Sequence, residues 1–377
     1  MIPLSLYIHI PWCIRKCPYC DFNSHQVSGE LPEVQYIDAL LADLHQEVAD
    51  TDKRQISSIF IGGGTPSLFS AASIQRLLDG VDAISPLPSH TEITLEANPG
   101  TFEQQRFTDY RKAGINRLSI GIQSYNPQHL KKLGRIHNAE EARHAADIAR
   151  EAGFDNFNLD LMFGLPEQTI TEALQDLEQA IHFNPTHLSW YQLTLEPNTL
   201  FHHQKPTLPE HEILWEMQQA GQALLAQHHF QQYEVSAYSL TGKQCLHNRN
   251  YWEFGDYLGI GAGAHGKVTS QDGSIHRYHK YRQPKQYMEK ARIGEFRTGD
   301  SILTPEKLPF EFMLNALRLK HGVDSHLYEQ RTGQALNTIT PTLLEAQKSG
   351  LLDSQDNKIV CTERGWHFLD NTLSLFL

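Results

Sequence analysis

The sequence predicts an α/β protein: a partial barrel of six strand-helix steps, followed by a small winged-helix-like C-terminal unit. Three observations predict it. In the first 200 residues apolar positions switch between the period of a strand and that of a helix, six times over. Strands joined by helices of this length run parallel, and six steps rather than eight describe an open barrel. Beyond residue 300 the pattern changes to short helices and one hairpin.

The elements follow in order. Leu4, Leu6, Ile8 and Ile10 alternate with Ser5, Tyr7 and His9, and Pro11 ends this first strand. Ile37, Leu40, Leu41, Leu44 and Val48 then recur at helical spacing, and QISSIFIGGGTP (55–66) is a second strand broken by glycines. A helix with Ile74, Leu77, Leu78 and Val81 leads to the strand EITLEANP (92–99), and a short helix near Phe107 to the strand RLSIGIQS (117–124). An Ala-rich helix over 138–152 precedes FNLDLMFGLP (157–166), and a helix with Leu174, Leu177 and Ile181 precedes HLSWYQLTLEP (187–197). Three domains result: a barrel core over 1–200, a barrel extension over 201–300, and a C-terminal unit over 301–377. The extension is read as a helix over 210–228, the strand YEVSAYSL (233–240) and the Gly- and aromatic-rich stretch CLHNRNYWEFGDYLGIGAGAHG (245–266). In the last unit Thr304 caps a helix within SILTPEKLPFEFMLNALRL (301–319), Gly350 closes a second helix, and NKIVCTERGWHFL (357–369) forms a hairpin entering a final helix.

Strand parity sorts the inward side chains. Ile93 and Leu95 share one face, leaving Thr94 and Glu96 on the other. Leu118, Ile120 and Ile122 oppose Ser119, Gly121 and Gln123, and Phe157, Leu159 and Leu161 oppose Asn158, Asp160 and Met162. With the apolar faces against the helices, Tyr7, Glu96, Gln123 and Asp160 point inward near the C-terminal strand ends, where parallel α/β folds build their sites.

Composition excludes several classes. With 32 Lys+Arg against 44 Asp+Glu the net charge is -12, which opposes non-specific binding to nucleic acid. No apolar run approaches the roughly 20 residues that cross a bilayer, so the chain is expected in the cytoplasm. Five cysteines, an odd number, argue there against a disulfide framework. Three of them, Cys13, Cys17 and Cys20, fall in CIRKCPYC on the loop leaving the first strand. Three thiolates suit an iron-sulfur cluster with one iron open to a small molecule. Zinc, with His9 or His25 as fourth ligand, and unliganded thiols are the alternatives. Pro18, Trp12, Tyr19 and Phe22 would screen such a cluster from water.

CIRKCPYC together with GGGTP (62–66) resembles the radical S-adenosylmethionine (SAM) superfamily. YIHIPWC, CPYCDFNSH, IFIGGGTPSL, LEANPGT, LGRIH and HNRNYW narrow the resemblance to the HemN/HemW group, on its HemW side, over essentially the whole chain. The resemblance implies a [4Fe-4S] cluster on Cys13, Cys17 and Cys20. It implies SAM contacts from Tyr7, Gly63, Gly64, Thr65, Glu96, Gln123, Arg135 and Asp160, with Arg135 suited to the methionine carboxylate. It also implies haem binding at His247 of HNRNYW, with Tyr251 and Trp252 as flat faces for a porphyrin. His265 and Cys245 are alternative iron ligands.

HemN-type coproporphyrinogen dehydrogenases carry a further cysteine where this chain has Phe22, and a longer segment before the first cysteine. A haem chaperone that delivers haem to acceptor haemoproteins, respiratory ones at the inner membrane among them, is therefore expected ahead of a radical enzyme acting on a porphyrinogen. No catalytic residue is assigned, and a homodimer is left open. The C-terminal unit lacks a basic recognition helix, which favours packing or partner contact over DNA.

Overall fold

The computed structural model describes residues 1–377 apart from 52, 53, 101–103 and 356. Thr101, which ends LEANPGT, therefore lies outside the described residues. The six expected parallel strands are present: β1 (Leu4–Ile10), β2 (Ile56–Gly63), β3 (Glu92–Ala97), β4 (Arg117–Gln123), β5 (Phe157–Phe163) and β6 (His187–Gln192). Each pairs in parallel with the next.

Residues 201–300 lengthen both edges of this sheet. YEVSAYSL is not one strand but parts of two, β7 (Gln231–Glu234) and β8 (Ala237–Ser239), paired antiparallel with each other, with β8 against β6. At the other edge β9 (Asp256–Ile260) lies parallel to β1, matching Leu4 with Asp256 and Ile8 with Ile260. The antiparallel strands β10 (His265–Thr269), β11 (Ile275–Lys280) and β12 (Arg297–Ile302) follow. One twelve-stranded sheet results, in the order β12-β11-β10-β9-β1-β2-β3-β4-β5-β6-β8-β7.

The helices pack as the apolar spacing requires. In α1 (Glu33–Glu47) Ile37, Leu40 and Leu44 are buried, and in α2 (Ala71–Ile84) Ile74, Leu77 and Val81 are. After α3 (Phe107–Lys112) and α4 (Pro127–Lys132), α5 (Ala139–Glu151) buries a stripe of alanines at 142, 145, 146 and 149, so that its backbone can approach the sheet closely. Asn138 and Glu141 form a capping box on α5, as Thr169 and Glu172 do on α6 (Ile170–His182), each cap worth about 1 kcal/mol. The long helix of the extension is α7 (His211–Gln227).

The C-terminal residues have their own core, in which Phe312, Met313, Tyr328, Ile339 and Leu373 pack with Phe254 and Ile275 of the barrel extension. Cys361 is half-buried against this core. Gly350, with φ 67°, follows the helix Thr340–Lys348 as expected. Thr304 does not cap a helix. It opens a turn in which Lys307 N–H donates to its carbonyl at 3.0 Å, and the helix starts at Leu308, with Pro309 in its first turn.

Candidate functional site

The cysteine loop is held from both ends. Trp12–Cys13 pairs with His25–Gln26, and His25 N–H donates to Pro11 O at 2.7 Å and Val27 N–H to Cys13 O at 2.9 Å. GGGTP packs beneath it. Gly64 N–H donates to Ile10 O and Thr65 N–H to Trp12 O, both at 2.7 Å. A Cβ on Gly64 would lie 2.5 Å from Trp12 O, and one on Gly63, whose φ is +113°, would lie 2.5 Å from the His9 ring. These glycines are therefore needed first for close packing of two loops. Of the expected screening residues Trp12 is buried, but Phe22 stands 58% exposed, because it lies at the rim of the cavity rather than over the loop.

All three cysteines are free and half-buried. Thr65 Oγ1 donates to Cys13 Sγ at 3.5 Å, and Asn98 Nδ2 donates to Thr65 Oγ1 at 3.2 Å. From the other side one Arg135 η-nitrogen donates to Asn98 Oδ1 at 2.7 Å, while the second donates to Cys17 Sγ at 3.7 Å. A continuous chain of donors thus links two cysteines through Thr65, Asn98 and Arg135. Burial first, then neighbouring Cys17, raises the Cys13 thiol, and burial raises that of Cys20. A bound metal would reverse this by taking the proton's place.

Among the described residues no three His, Cys, Asp or Glu side chains converge on a single-ion site. The proposed fourth zinc ligands are also engaged: His9 bonds the Tyr7 hydroxyl and Asn23 O, both at 2.9 Å, and His25 bonds Arg282 O at 3.2 Å. A multi-iron cluster needs only one thiolate on each of three irons, which three cysteines supply.

The barrel interior bears the expected carboxylates. Glu96 is half-buried, accepts from Gly63 N–H at 3.0 Å, and is pushed up to about 7 by burial and then by Asp160. Asp160 accepts from Ser119 Oγ at 3.0 Å and Asn158 Nδ2 at 2.7 Å, and burial raises it despite these donors. Thr94 Oγ1, on the same face, is buried without a partner.

Gln123 has φ 68° and follows a register shift that places it opposite Leu161. Its backbone conformation nonetheless keeps the amide inward, where Oε1 accepts from Tyr191 OH at 2.8 Å. Strained backbone of this kind is typical of sites. Sequence reasoning had not assigned Asn98 or Tyr191. Parity could have found both, since Asn98 follows Glu96 by two and Tyr191 alternates with Leu188 and Trp190.

His247 lies on α8 (Leu246–Trp252), whose first N–H groups are capped by Glu92, from Leu246 at 2.9 Å and His247 at 3.3 Å. The imidazole is 1% exposed. Its Nδ1 bonds Ser58 Oγ at 3.2 Å and its Nε2 bonds Tyr251 OH at 2.9 Å, while Phe60 packs at 5.3 Å between ring centroids. Burial, then Arg117, lowers its basicity to about 3. Cys245 is likewise buried, its thiol pushed up to about 12 mainly by burial.

Tyr251 and Trp252 differ from His247 in lining an open cavity of about 700 Å³, which they share with Tyr7, Gly63, Glu96 and His265. Trp252 Nε1 is a buried donor without a partner. Tyr7, Gly63 and Glu96, three of the residues expected for SAM, thus share one space with the aromatic residues expected for a porphyrin.

Residues 7–180 match the model of the radical SAM superfamily, and residues 303–368 that of the HemN C-terminal domain. The structure is similar to that of coproporphyrinogen III oxidase (HemN) from Escherichia coli, described as a radical SAM enzyme. The TM-score is 0.83 at 25% identity, covering 100% of this chain and 90% of that one. Fold and site thus define a radical SAM protein with a HemN-type C-terminal domain, a membership that implies a [4Fe-4S] cluster and SAM. The chain is 52% identical to the heme chaperone HemW of Escherichia coli K12, covering 100% of this chain and 98% of that protein. It is 48% identical to that of Haemophilus influenzae, with the same coverage, and 32% identical to that of Bacillus subtilis, covering 96% of each. The chain belongs to the HemW family.

Proposed function

We propose that the protein is a haem chaperone. It binds haem in the cavity beside the SAM residues and passes it to acceptor haemoproteins, respiratory ones at the membrane included. The observation that carries this is the shared cavity: Tyr251 and Trp252 of HNRNYW form one wall and Tyr7, Gly63 and Glu96 another. Its volume falls within the roughly 300–1,000 Å³ usual for ligand sites, and aromatic walls suit a porphyrin face. No helix among the described residues is long and apolar enough to cross a membrane.

In this reading Cys13, Cys17 and Cys20 would hold the cluster, and cluster and SAM would act structurally, in assembly or in gating of haem transfer. The chain's own residues do the rest. Thr65 and Arg135 direct hydrogen bonds at two thiolate sulfurs, stabilising their ionised form. Gly63 and Gly64 let the loops close. Asp160 and Glu96 offer acceptors for ribose hydroxyls, and Gln123, fixed by Tyr191, adds an amide.

Arg135 was expected on the methionine carboxylate. Its η-nitrogens reach Cys17, Asn98 and Gly121 O beside the cluster loop, and its buried Nε, which has no partner, is the donor left for SAM. His247 is assigned to holding the Tyr251 hydroxyl, and so the aromatic wall, in place.

A second reading, a radical enzyme acting on a porphyrinogen, is favoured by the likeness to HemN over the full chain. The test is titration of the cluster-loaded protein with haem, followed at the Soret band, beside Trp252→Ala. Saturation near equimolar haem, weakened about tenfold (1.4 kcal/mol) in the variant, is expected. Absence of saturable binding, with release of 5′-deoxyadenosine on coproporphyrinogen III, would establish the second reading instead.

A further inference from the structure

We propose that the haem iron is ligated by His265, on which His279 stacks as a positioning residue, and not by the buried His247. The proposal rests on the haem reading above and assigns the ligand within it.

A nitrogen that ligates iron must have a free lone pair and a path to the porphyrin. His247 has neither in this structure: both ring nitrogens are bonded, to Ser58 and Tyr251, and the ring is 1% exposed. Among the described residues, three histidines line the cavity: His9, His265 and His279. His9 is bonded at both nitrogens. His265 and His279 are exposed, and neither side chain makes a hydrogen bond among the described residues.

The fold builds this pair deliberately into the cavity rim. His265 opens β10 and His279 lies on β11, directly opposite each other in the antiparallel register. Their rings stack at 5.5 Å with 28° between planes. A Cβ on Gly299 of β12 would lie 2.1 Å from the His279 ring, so glycine there makes room for it. The approach to β10 is fixed by Asn23, whose amide donates to Ala262 O and to Arg282 O, both at 2.9 Å.

Side chains directly opposed on neighbouring antiparallel strands project from the same face of the sheet, so His265 and His279 meet a porphyrin from one side and do not grip its iron from opposite faces. One ligates and the other supports. β10, which carries His265, lies one strand closer to β1 than β11 does, so His265 is on the side of Tyr7 and His9. The surrounding chemistry fits a haem as a whole. Tyr251 and Tyr257, in edge contact at 4.4 Å, and Trp252 offer apolar faces. The Arg282 guanidinium on the same rim makes no hydrogen bond or ion pair among the described residues, which leaves it for a propionate carboxylate.

The test uses the full chain, cluster-loaded under anaerobic conditions and titrated with haem. Wild type is compared with His265→Ala, His279→Ala and His247→Ala, reading Soret position, low-temperature electron paramagnetic resonance and affinity. Because His265 and His279 are exposed, neither of their substitutions threatens the core. His265→Ala is expected to lose the histidine-ligated signature and about tenfold or more in affinity, with added imidazole restoring the signature. His279→Ala is expected to keep the signature and weaken affinity a few-fold.

If wild type binds haem and His265→Ala keeps both signature and affinity, or if the signature is lost in His247→Ala instead, the assignment is overturned while the haem reading stands. If wild type shows no saturable binding, the haem reading itself fails.

Discussion

Above neutral pH, Glu96→Gln should make the ligand-free protein more stable than wild type. Burial, followed by the charge of Asp160, moves the Glu96 carboxyl from its ordinary 4.5 to about 7, against the opposing hydrogen bond from Gly63 N–H. The folded state therefore holds this proton more tightly than the unfolded chain does. As pH rises from 4.5 the unfolded chain ionises first, and stability falls until the folded carboxyl also ionises near 7. At about 1.36 kcal/mol per pKa unit the ceiling is about 3 kcal/mol, and solvent screening of a half-buried carboxylate trims it to about 1–2 kcal/mol. Glutamine keeps the shape and an acceptor for Gly63 but carries no charge.

Urea unfolding of both proteins without ligand, at pH 4 and pH 8.5, measures the effect. The two should be nearly equal in acid and diverge at pH 8.5 by about 1–2 kcal/mol in favour of the variant. The same variant should bind SAM about tenfold more weakly, since a ribose hydroxyl loses a charged acceptor. Stability curves that run parallel across this pH range would refute the reasoning, because they would mean that the interior does not penalise the charge.

Further outcomes follow from packing and hydrogen bonding. Gly64→Ala should place its methyl against Trp12 O, where the backbone cannot yield cheaply. We expect about 1–3 kcal/mol of destabilisation and loss of iron on reconstitution, measured by thermal melting and iron content. Asn98→Ala breaks the donor chain between Thr65 and Arg135. The far-ultraviolet circular dichroism should stay as in wild type while the reconstituted cluster is released several-fold faster to a chelator. Glu92→Gln removes the charged acceptor that caps α8 and one of the anionic neighbours of buried Arg117. It should cost about 1–3 kcal/mol in chemical unfolding.

How far the sequence reached depends on the range of the interaction. The six strands of the core were legible because each is a short apolar alternation, and the caps at Asn138 and Thr169 because capping is local. Parity placed Glu96 and Asp160 inside correctly, since neither strand is interrupted before them. Gln123 reached the interior by a different route, through a positive φ at a register shift that alternation does not encode.

The pairing of β9 with β1 joins residues some 250 positions apart and was invisible to any local pattern, as was the split of the extension between two sheet edges. The family resemblance drew attention to His247 through HNRNYW. Burial, which is a tertiary property, hides that imidazole behind Tyr251 and leaves His265 at the surface of the same cavity. Arg135 shows the same limit: its charge could be read, but its choice of Cys17 and Asn98 could not.

The most direct test of the chaperone account is haem transfer. The protein, loaded with cluster and haem and freed of unbound haem, would be mixed with an apo-haemoprotein, and the acceptor's spectrum followed in the presence of a haem scavenger. The account predicts that the acceptor fills despite the scavenger, with matching loss of haem from the donor and no turnover of coproporphyrinogen III. Haem that reaches the acceptor only through the free pool, so that the scavenger abolishes transfer, would contradict it.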